Sequence, residues 1–287
     1  MPHLRLPRDP RWYQIAVLSG LLLYGMTALD FDITPARAAL LIGTALLTQW
    51  VCTQIAWLPR FDPKSALISS LSLCLLLRTN SPFLAVAVAI VTIASKFALR
   101  VGEKHVFNPT NFGIVVFLIL GAPVWVSPGQ WGHVALFGFL MACFGTVVVT
   151  RAARADVTFG FLAFYVGILF ARAAWLGQPW ANPIHQLQSG GLLLFSFFMI
   201  SDPRTTPDSR AGRLLFAALV AMGAAFVPFV LYRTNGLLWS LAACSLLVPL
   251  IDRILPGTRY VWPAGHAPKP SPAPGDLSHA HGNVAPA

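Results

Sequence analysis

Two apolar segments of this chain resemble each other at a spacing of 124 residues. Ser65 opens the run SALISSLSLCLLLRTNSP, and Ser189 opens the run SGGLLLFSFFMISDPRTTP. Both runs end in a proline-containing break, and Thr110-Asn111 and Thr234-Asn235 then begin later segments at the same spacing. Duplicated halves that each carry a short, interrupted apolar segment are typical of membrane transporters whose site lies between the halves. The repeat therefore predicts a duplicated membrane domain with a site where its two halves meet.

Composition supports a membrane protein. Hydrophobic residues make up 56% of the chain, charged residues only 10%, and the mean hydropathy is +0.67, which excludes an ordinary soluble domain. Compared with the ~17–25 residues of a membrane-spanning helix, the apolar runs predict an all-α integral membrane protein of about ten transmembrane helices. The third and eighth segments are short. The ten predicted segments are 12–29, 36–58, 64–78, 82–100, 109–126, 131–150, 157–176, 186–201, 211–232 and 235–254.

The charge distribution fits ten crossings. If the N-terminus is cytoplasmic, only Arg37, Arg78, Arg172 and Arg233 face outward, and the other 16 of the 20 lysines and arginines face inward. This is the positive-inside pattern, and it predicts that both termini are cytoplasmic. The net charge of +10 therefore reflects topology and contact with anionic lipids of the bilayer, and nucleic acid is not expected as a partner.

The spacing of 124 residues assigns five spans to each half. Because five is odd, the halves must enter the membrane from opposite sides, so we predict two inverted five-helix repeats with a site at their interface. The predicted organisation is a basic cytoplasmic arm (1–11), a first repeat (12–132), a second repeat (133–256) and a disordered Pro/Ala-rich tail (257–287). The first segment shows no cleavage pattern and is expected to be a retained helix.

The breaks carry a resemblance to a known family. The stretches KSALISSLSLCLLLRTNSP and KFALRVGEKHVFNPTNFG resemble the D subunit of the Rnf electron-transport complex and the B subunit of the sodium-pumping NADH:quinone reductase. IHQLQSGGLLLFSFFMISDPRTTPDSRAGRLLFAAL and LLVPLIDRILPGTRYVW are similar to the family's run that ends in T-D-P-V-T and to its closing P-L-I-D. The similarity covers about 60–130 and 184–262.

This resemblance implies ten helices in two inverted repeats, flavin in the membrane arm, and electron transfer coupled to ion movement. It also implies a multi-pass protein of the bacterial cytoplasmic (inner) membrane that works with other membrane and redox subunits. Members of the family attach flavin mononucleotide to a threonine in a long outward loop between spans five and six. Here that loop is Val126-Ser127-Pro128-Gly129-Gln130-Trp131, which has no threonine. Covalent flavin mononucleotide is therefore not expected, and a non-covalent riboflavin or flavin mononucleotide is expected.

The strongest candidate site is the segment that begins the fifth span. Asn108 followed by Pro109 has the form of a helix N-cap with proline in the first turn, and capping alone explains these two residues. The positive end of a helix in an interrupted membrane segment also suits a carbonyl-rich ring, and the resemblance implies a flavin near this segment. Asn108, Thr110 and Asn111 are therefore candidate flavin-binding residues, with a purely structural cap as the alternative.

Two charged residues complete the candidate set. Lys96 near the inner end of the fourth span can snorkel toward lipid headgroups, or it can pair with a flavin oxygen or ring nitrogen, as the resemblance implies. Ser201 or Asp202 can cap the following helix, or Asp202 can form a polar turn beside the site that holds flavin or couples an ion. No catalytic or metal-ligating residue is predicted.

The leading hypothesis is a subunit that passes electrons through a flavin and forms no bonds of its own. The chain contains no dinucleotide-binding glycine pattern and no cysteine cluster, so electrons would enter and leave through partners. No acidic residue falls in the middle of a predicted span, whereas ion pumps usually carry such groups. The alternatives are a non-redox transporter of small solutes or ions with the same fold, and a membrane accessory protein of a biosynthetic cluster.

Overall fold

The structure is a computed structural model that describes residues 9–29, 31–102, 104–127 and 144–260. Most of the predicted basic arm and tail, and most of the predicted sixth segment (131–150), lie outside the described residues. The described part is mostly helical. Its helices up to the midpoint are α1 (Pro10–Ala28), α2 (Pro35–Ile55), α3 (Pro63–Leu76), α4 (Pro82–Ala98) and α5 (Pro109–Ile119).

Proline sets the start of four consecutive helices. Each of α2 to α5 has proline in its first turn, preceded by Thr34, Asp62, Ser81 or Asn108. Proline fits there because the amide hydrogen that it lacks would have no partner within the helix. The side chains of Thr34, Ser81 and Asn108 accept hydrogen bonds from backbone amides of the first turn, so these helix starts are fixed by local sequence.

The second half begins with the helical residues 144–151, which we call α6. It continues through α7 (Ala155–Trp175), α8 (Ala181–Leu187) and α9 (Gly190–Leu194), and α9 runs directly into a π-helical turn over Phe195–Met199. The last helices are α10 (Arg210–Phe229), α11 (Gly236–Ser245) and α12 (Val248–Ile254). A π-turn is rare and often marks a functional site, and here it ends the predicted short eighth segment.

Two small antiparallel strand pairs close loops. β1 (Leu77–Thr79) directly follows α3 and pairs with β4 (Val124–Val126), with Arg78 opposite Trp125. β2 (Arg100–Val101) and β3 (Lys104–His105) form a short hairpin just before α5. The pairing of β1 with β4 shortens both the third and the fifth helices relative to their predicted apolar runs.

The helices pack in two similar sets. In the first half α4 packs against α2 and α5, and in the second half α10 packs against α7 and α11. Helices α5 and α11 contact each other, so the fifth and tenth predicted segments lie at the junction of the halves. Apolar residues of both halves, including those of the π-turn, form one continuous core.

Three described helices are long and apolar enough to cross a membrane, namely α2, α7 and α10. A fourth candidate is α11 with α12, two helices bent by 51° at a short break. Helices α3, α4, α5 and the segment Gly190–Met199 are apolar but shorter. The prediction of an all-α membrane protein is confirmed at this level, whereas the ten crossings stay a prediction.

Candidate functional site

The first turn of α5 connects several elements through polar side chains. Asn108 is buried, and its Oδ1 accepts a hydrogen bond from the backbone amide of Asn111 at 3.1 Å. Its Nδ2 donates to the backbone oxygen of Met199 at 3.3 Å, at the end of the π-turn. The predicted cap is therefore confirmed, and the same side chain also links α5 to the second interrupted segment.

Thr110 and Asn111 extend this set of contacts. Thr110 Oγ1 donates to the backbone oxygen of Ser69 in α3 at 3.2 Å, and Asn111 Nδ2 donates to that of Leu238 in α11 at 3.2 Å. Asn111 is fully buried, and its Oδ1 has no hydrogen-bond partner among the described residues. A buried amide oxygen without a partner is costly, so this atom can accept a hydrogen bond from a ligand or water.

Lys96 does not snorkel. Its side chain is only 4% exposed, and its Nζ donates to Ser65 Oγ at 3.1 Å, in the first turn of α3. The contact joins the inner end of α4 to the start of the first interrupted segment. A buried ammonium group needs polar or charged partners because desolvation disfavours its charge, and Asp62 and Asp202 lie within electrostatic range of Lys96.

Asp202 does not cap the next helix. Helix α10 begins at Arg210, and its cap is Ser209, whose Oγ accepts from the amide of Gly212 at 3.0 Å. Asp202 Oδ1 instead accepts from the amide of Arg204 at 3.0 Å, within the turn that follows the π-helix. Asp202 therefore lies in a polar turn, as predicted. The capping alternative is wrong, because seven residues of non-helical chain follow Asp202 before α10 begins.

The electrostatic surroundings of Asp202 are unusual for a carboxylate. Burial raises its pKa, although Arg204, Lys96 and Arg154 lie near enough to oppose this shift. Its neighbours therefore come from the turn itself, from α4 in the first half and from the residue before α7. Titratable groups with such shifts often lie at functional sites.

His105 joins the same group of charges from the β2–β3 hairpin. Its imidazole lies near the backbone of Lys96, and its Nδ1 is buried without a hydrogen-bond partner among the described residues. Burial, assisted by the positive charges of Arg204, Arg100 and Lys96, lowers the pKa of His105 to about 3. The ring is therefore neutral at ordinary pH, which does not suit a proton carrier near neutrality.

A separate ion cluster joins the halves beside the hairpin. Lys104 Nζ lies 3.0 Å from Asp208 Oδ1 and 2.6 Å from Asp252 Oδ2. The Oδ1 atom of Asp252 also accepts from the backbone amide of Asp208 at 2.8 Å. The cluster links the loop before α5 to the loop before α10 and to α12.

A cavity of about 540 Å³ lies where elements of both halves meet. Leu238 and Met199, whose backbone oxygens accept from Asn111 and Asn108, both line it. Its volume falls in the ~300–1,000 Å³ range of small-molecule sites. The lining combines aromatic rings with hydroxyl and amide groups, among them Trp125, Tyr165, Phe195, Ser189, Thr234 and Asn235.

Most of this cavity could not be predicted from the sequence. The repeat spacing did single out Ser189, Thr234 and Asn235, but no motif pointed to Trp125 or Tyr165. Asn235 has a left-handed backbone (φ 61°) at the N-cap position of α11, and its side chain does not cap the helix. A non-glycine residue in that conformation costs free energy and is found more often at functional sites, which is a signal visible only in the structure.

Comparison with known proteins matches the second half of the chain to a family. Residues 121–260 match the NQR2, RnfD, RnfE family. The chain is also similar to three bacterial proteins that are each named as the D subunit of an ion-translocating oxidoreductase complex. It is 29% identical to the Erwinia tasmaniensis protein over 163 residues, 32% to that of Stutzerimonas stutzeri over 143, and 42% to that of Tolumonas auensis over 73.

Each match covers only part of this chain and only part of the relative. They cover 55%, 48% and 25% of this chain, and 42%, 39% and 21% of the respective relatives. The chain therefore spans less than half the length of each of these relatives in the matched region. The resemblance to this family is confirmed by the family match, which contains the D-P motif at Asp202-Pro203, and by these relatives.

Proposed function

We propose that this chain, which resembles the NQR2, RnfD, RnfE family, is a membrane subunit of an electron-transport complex that holds a flavin without a covalent bond. The relatives' names supply the class, a subunit of an ion-translocating oxidoreductase complex. The observation that carries the flavin proposal is the 540 Å³ cavity, whose lining includes the backbone partners of Asn108 and Asn111.

The proposed architecture is two inverted five-helix repeats with ten crossings. The helix pairings support it, since α2–α4–α5 and α7–α10–α11 pack in the same order along the chain. Helices α5 and α11 belong to the fifth and tenth segments, the last of each proposed repeat, and they contact each other. Asn111 and Leu238 lie in the first turns of these helices and are joined by a hydrogen bond, which supports an interface between the repeats at this place.

In this proposal the flavin ring lies in the cavity between aromatic side chains. Tyr165 and Phe195 provide flat apolar surface, and Asn235 and Thr234 provide polar groups for the ring edge. The N-terminal turn of α11 adds partial positive charge, which favours a reduced, anionic flavin. When bound, the flavin supplies one- or two-electron transfer, while the protein orients the ring and limits its contact with water.

Coupling to an ion is proposed at Asp202. Two observations support this proposal. The pKa of Asp202 is raised, and Asp202 lies within electrostatic range of Lys96 in the first half, so that a change of charge nearby can change its protonation. Any movement of an ion across the membrane, and the supply of electrons, is assigned to the assembly with other membrane and redox subunits. We assign the protein to the bacterial inner membrane with both termini cytoplasmic, on the charge pattern of the sequence.

Titration of the purified chain in detergent with riboflavin and with flavin mononucleotide tests the proposal, with quenching of flavin fluorescence as the measurement. Asn235→Gly removes the amide while glycine tolerates the left-handed backbone, and we expect weaker binding by about tenfold, the loss of roughly one hydrogen bond. Tyr232→Gly is the matched control, because Tyr232 also has a positive φ (51°) but does not line the cavity.

Saturable binding that weakens in Asn235→Gly and persists in Tyr232→Gly supports the proposal. A folded wild-type chain that binds neither flavin would overturn it and favour the non-redox transporter. Binding that is equal in all three chains would place the flavin outside this cavity.

A further inference from the structure

We propose that a second, smaller cavity binds a tetrahedral oxyanion of the phosphate type. The cavity has a volume of about 150 Å³ and lies where α2 begins and α3 ends. At ~30 Å³ per water molecule it holds about five waters, and it is far below the ~300 Å³ of a site for a drug-sized ligand. A flavin is therefore too large for it. The polar residues that line it are Asp32, Thr34, Arg37, Arg78, Thr79 and Asn80.

Arg78 is the buried cation of this cavity. It is only 5% exposed, and its Nη1 donates to the backbone oxygens of Cys74 and Leu77, both at 2.9 Å. These bonds satisfy the last turn of α3 and fix the guanidinium. Its Nε and Nη2 atoms form no hydrogen bond with the described residues, so two of its three nitrogens are left for a ligand.

Arg37 provides a second guanidinium in the same arrangement. Its Nη1 donates to the backbone oxygens of Thr79 at 3.1 Å and Ser81 at 3.3 Å, and its remaining nitrogens are not used by the described residues. Two guanidinium groups that are each held by a single nitrogen form a preorganised pair. Guanidinium groups bind phosphate and carboxylate oxygens through paired N–H donors.

Other groups at the cavity favour an anion with several oxygens. Thr34 caps α2 by accepting from the amide of Arg37, which leaves its hydroxyl hydrogen free to donate, and Asn80 adds an exposed amide. The positive end of the 21-residue helix α2 also lies here, and such ends attract anions. Donors from four side chains suit the four oxygens of a tetrahedral anion better than the two of a carboxylate.

Asp32 reduces the positive charge without removing it. Its carboxylate is exposed and acts on Arg78 at a distance, and it forms no ion pair with Arg37 or Arg78. One carboxylate against two guanidinium groups leaves a net positive lining among the described residues. A buried cation is costly unless an anion or sufficient hydrogen bonds compensate it, and a bound oxyanion would supply this compensation.

Topology gives an independent reason to single out these arginines. The sequence predicts only four basic side chains on the outer face, and two of them are Arg37 and Arg78. Basic residues are disfavoured on that face of a membrane protein. Their convergence on one cavity is explained if they bind an anion there.

Isothermal titration of the full chain in detergent with inorganic phosphate, in phosphate-free buffer, tests the site. We expect saturable binding that weakens at least about tenfold in Arg37→Gln and in Arg78→Lys, since each loses charge-assisted hydrogen bonds. Arg78→Lys keeps the charge and a donor for the α3 carbonyls. Arg233→Gln is the control, because this arginine also lies on the predicted outer face but does not line the cavity.

Asp32→Asn provides a second test of the phosphate site if an arginine variant does not fold. It removes the only carboxylate on the described lining, so phosphate should bind more tightly. A second arm titrates phosphatidylglycerol in mixed micelles. Binding there, but not of inorganic phosphate, identifies a lipid headgroup as the source of the phosphate group, and the reverse identifies a free anion.

A folded wild-type chain that binds neither probe would overturn the site. Binding that is unchanged in Arg37→Gln, Arg78→Lys and Asp32→Asn would overturn it as well. The flavin proposal does not depend on these results, because no described residue lines both cavities.

Discussion

Asn111 Nδ2 donates a hydrogen bond to the backbone oxygen of Leu238 at 3.2 Å, although the two residues are 127 positions apart. The bond connects the first turn of α5 with the first turn of α11. Thr110-Asn111 lies in the first turn of α5, and Asn235 of the paired motif Thr234-Asn235 is at the N-cap position of α11. A single side chain therefore links the first turns of two helices that belong to different halves.

This link should be measurable as stability. Asn111→Ala removes this hydrogen bond between the halves, and we expect a loss of about 1 kcal/mol in the free energy of unfolding. Thermal and denaturant unfolding in detergent, followed by tryptophan fluorescence, measures it. Asn182→Ala, at an exposed position in α8, is the control and should change stability by less than about 0.5 kcal/mol. Equal stability of both variants would contradict a structural role for the Asn111 contact.

The Lys104 cluster gives a second prediction. Lys104→Met leaves Asp208 and Asp252 close together and partly buried without their cation, which we expect to cost about 3 kcal/mol. Lys104→Met combined with Asp208→Asn and Asp252→Asn should recover much of that loss, because no unpaired charge remains. A triple variant no more stable than Lys104→Met would contradict the electrostatic explanation.

The lowered pKa of His105 predicts a dependence of stability on pH. The unfolded histidine takes up a proton near pH ~6.5, whereas in the fold its pKa is about 3. The unfolded state therefore binds more protons between these values, so stability present above pH ~6.5 is lost as pH falls toward ~3. Unfolding between about pH 7.5 and pH 4.5 should show a steeper decline in the wild type than in His105→Gln. Parallel curves would contradict the assignment.

Asp202 should have the opposite effect on the dependence of stability on pH. Burial raises its pKa, so the folded state binds more protons than the unfolded state above pH ~3.9, and the charged form destabilises the fold at neutral pH. Asp202→Asn keeps an oxygen for the amide of Arg204 and removes the buried negative charge, so it should stabilise the protein near neutral pH. We expect this gain to shrink as the pH approaches ~4. A destabilised Asp202→Asn at neutral pH would show that the negative charge serves the fold.

Short sequence patterns are sufficient to predict some of the helix starts. Proline after Thr34, Ser81 and Asn108 defines helix starts because capping involves residues only a few positions apart. The strand pair β1–β4 was not predicted, because three-residue strands carry no periodicity and Leu77 pairs with Val126 across two helices.

The candidate site was also predicted only in part, because most of its contacts join residues that are far apart in the sequence. Asn108 was found through its local cap, but its contact with Met199 and the contact of Asn111 with Leu238 arise from tertiary packing. Lys96 was expected at the lipid surface by default, whereas its burial depends on Ser65 in another helix. Trp125 and Tyr165 carry no motif, and only the folded chain shows that both line one cavity.

The flavin content of the chain purified from flavin-replete cells decides between a redox and a non-redox function. The measurement is the visible absorption spectrum, followed by acid precipitation and chromatography of the supernatant. We expect a yellow protein that releases riboflavin or flavin mononucleotide in stoichiometric amount. A folded, colourless protein would contradict the redox function, and flavin that stays on the precipitated chain would contradict non-covalent binding.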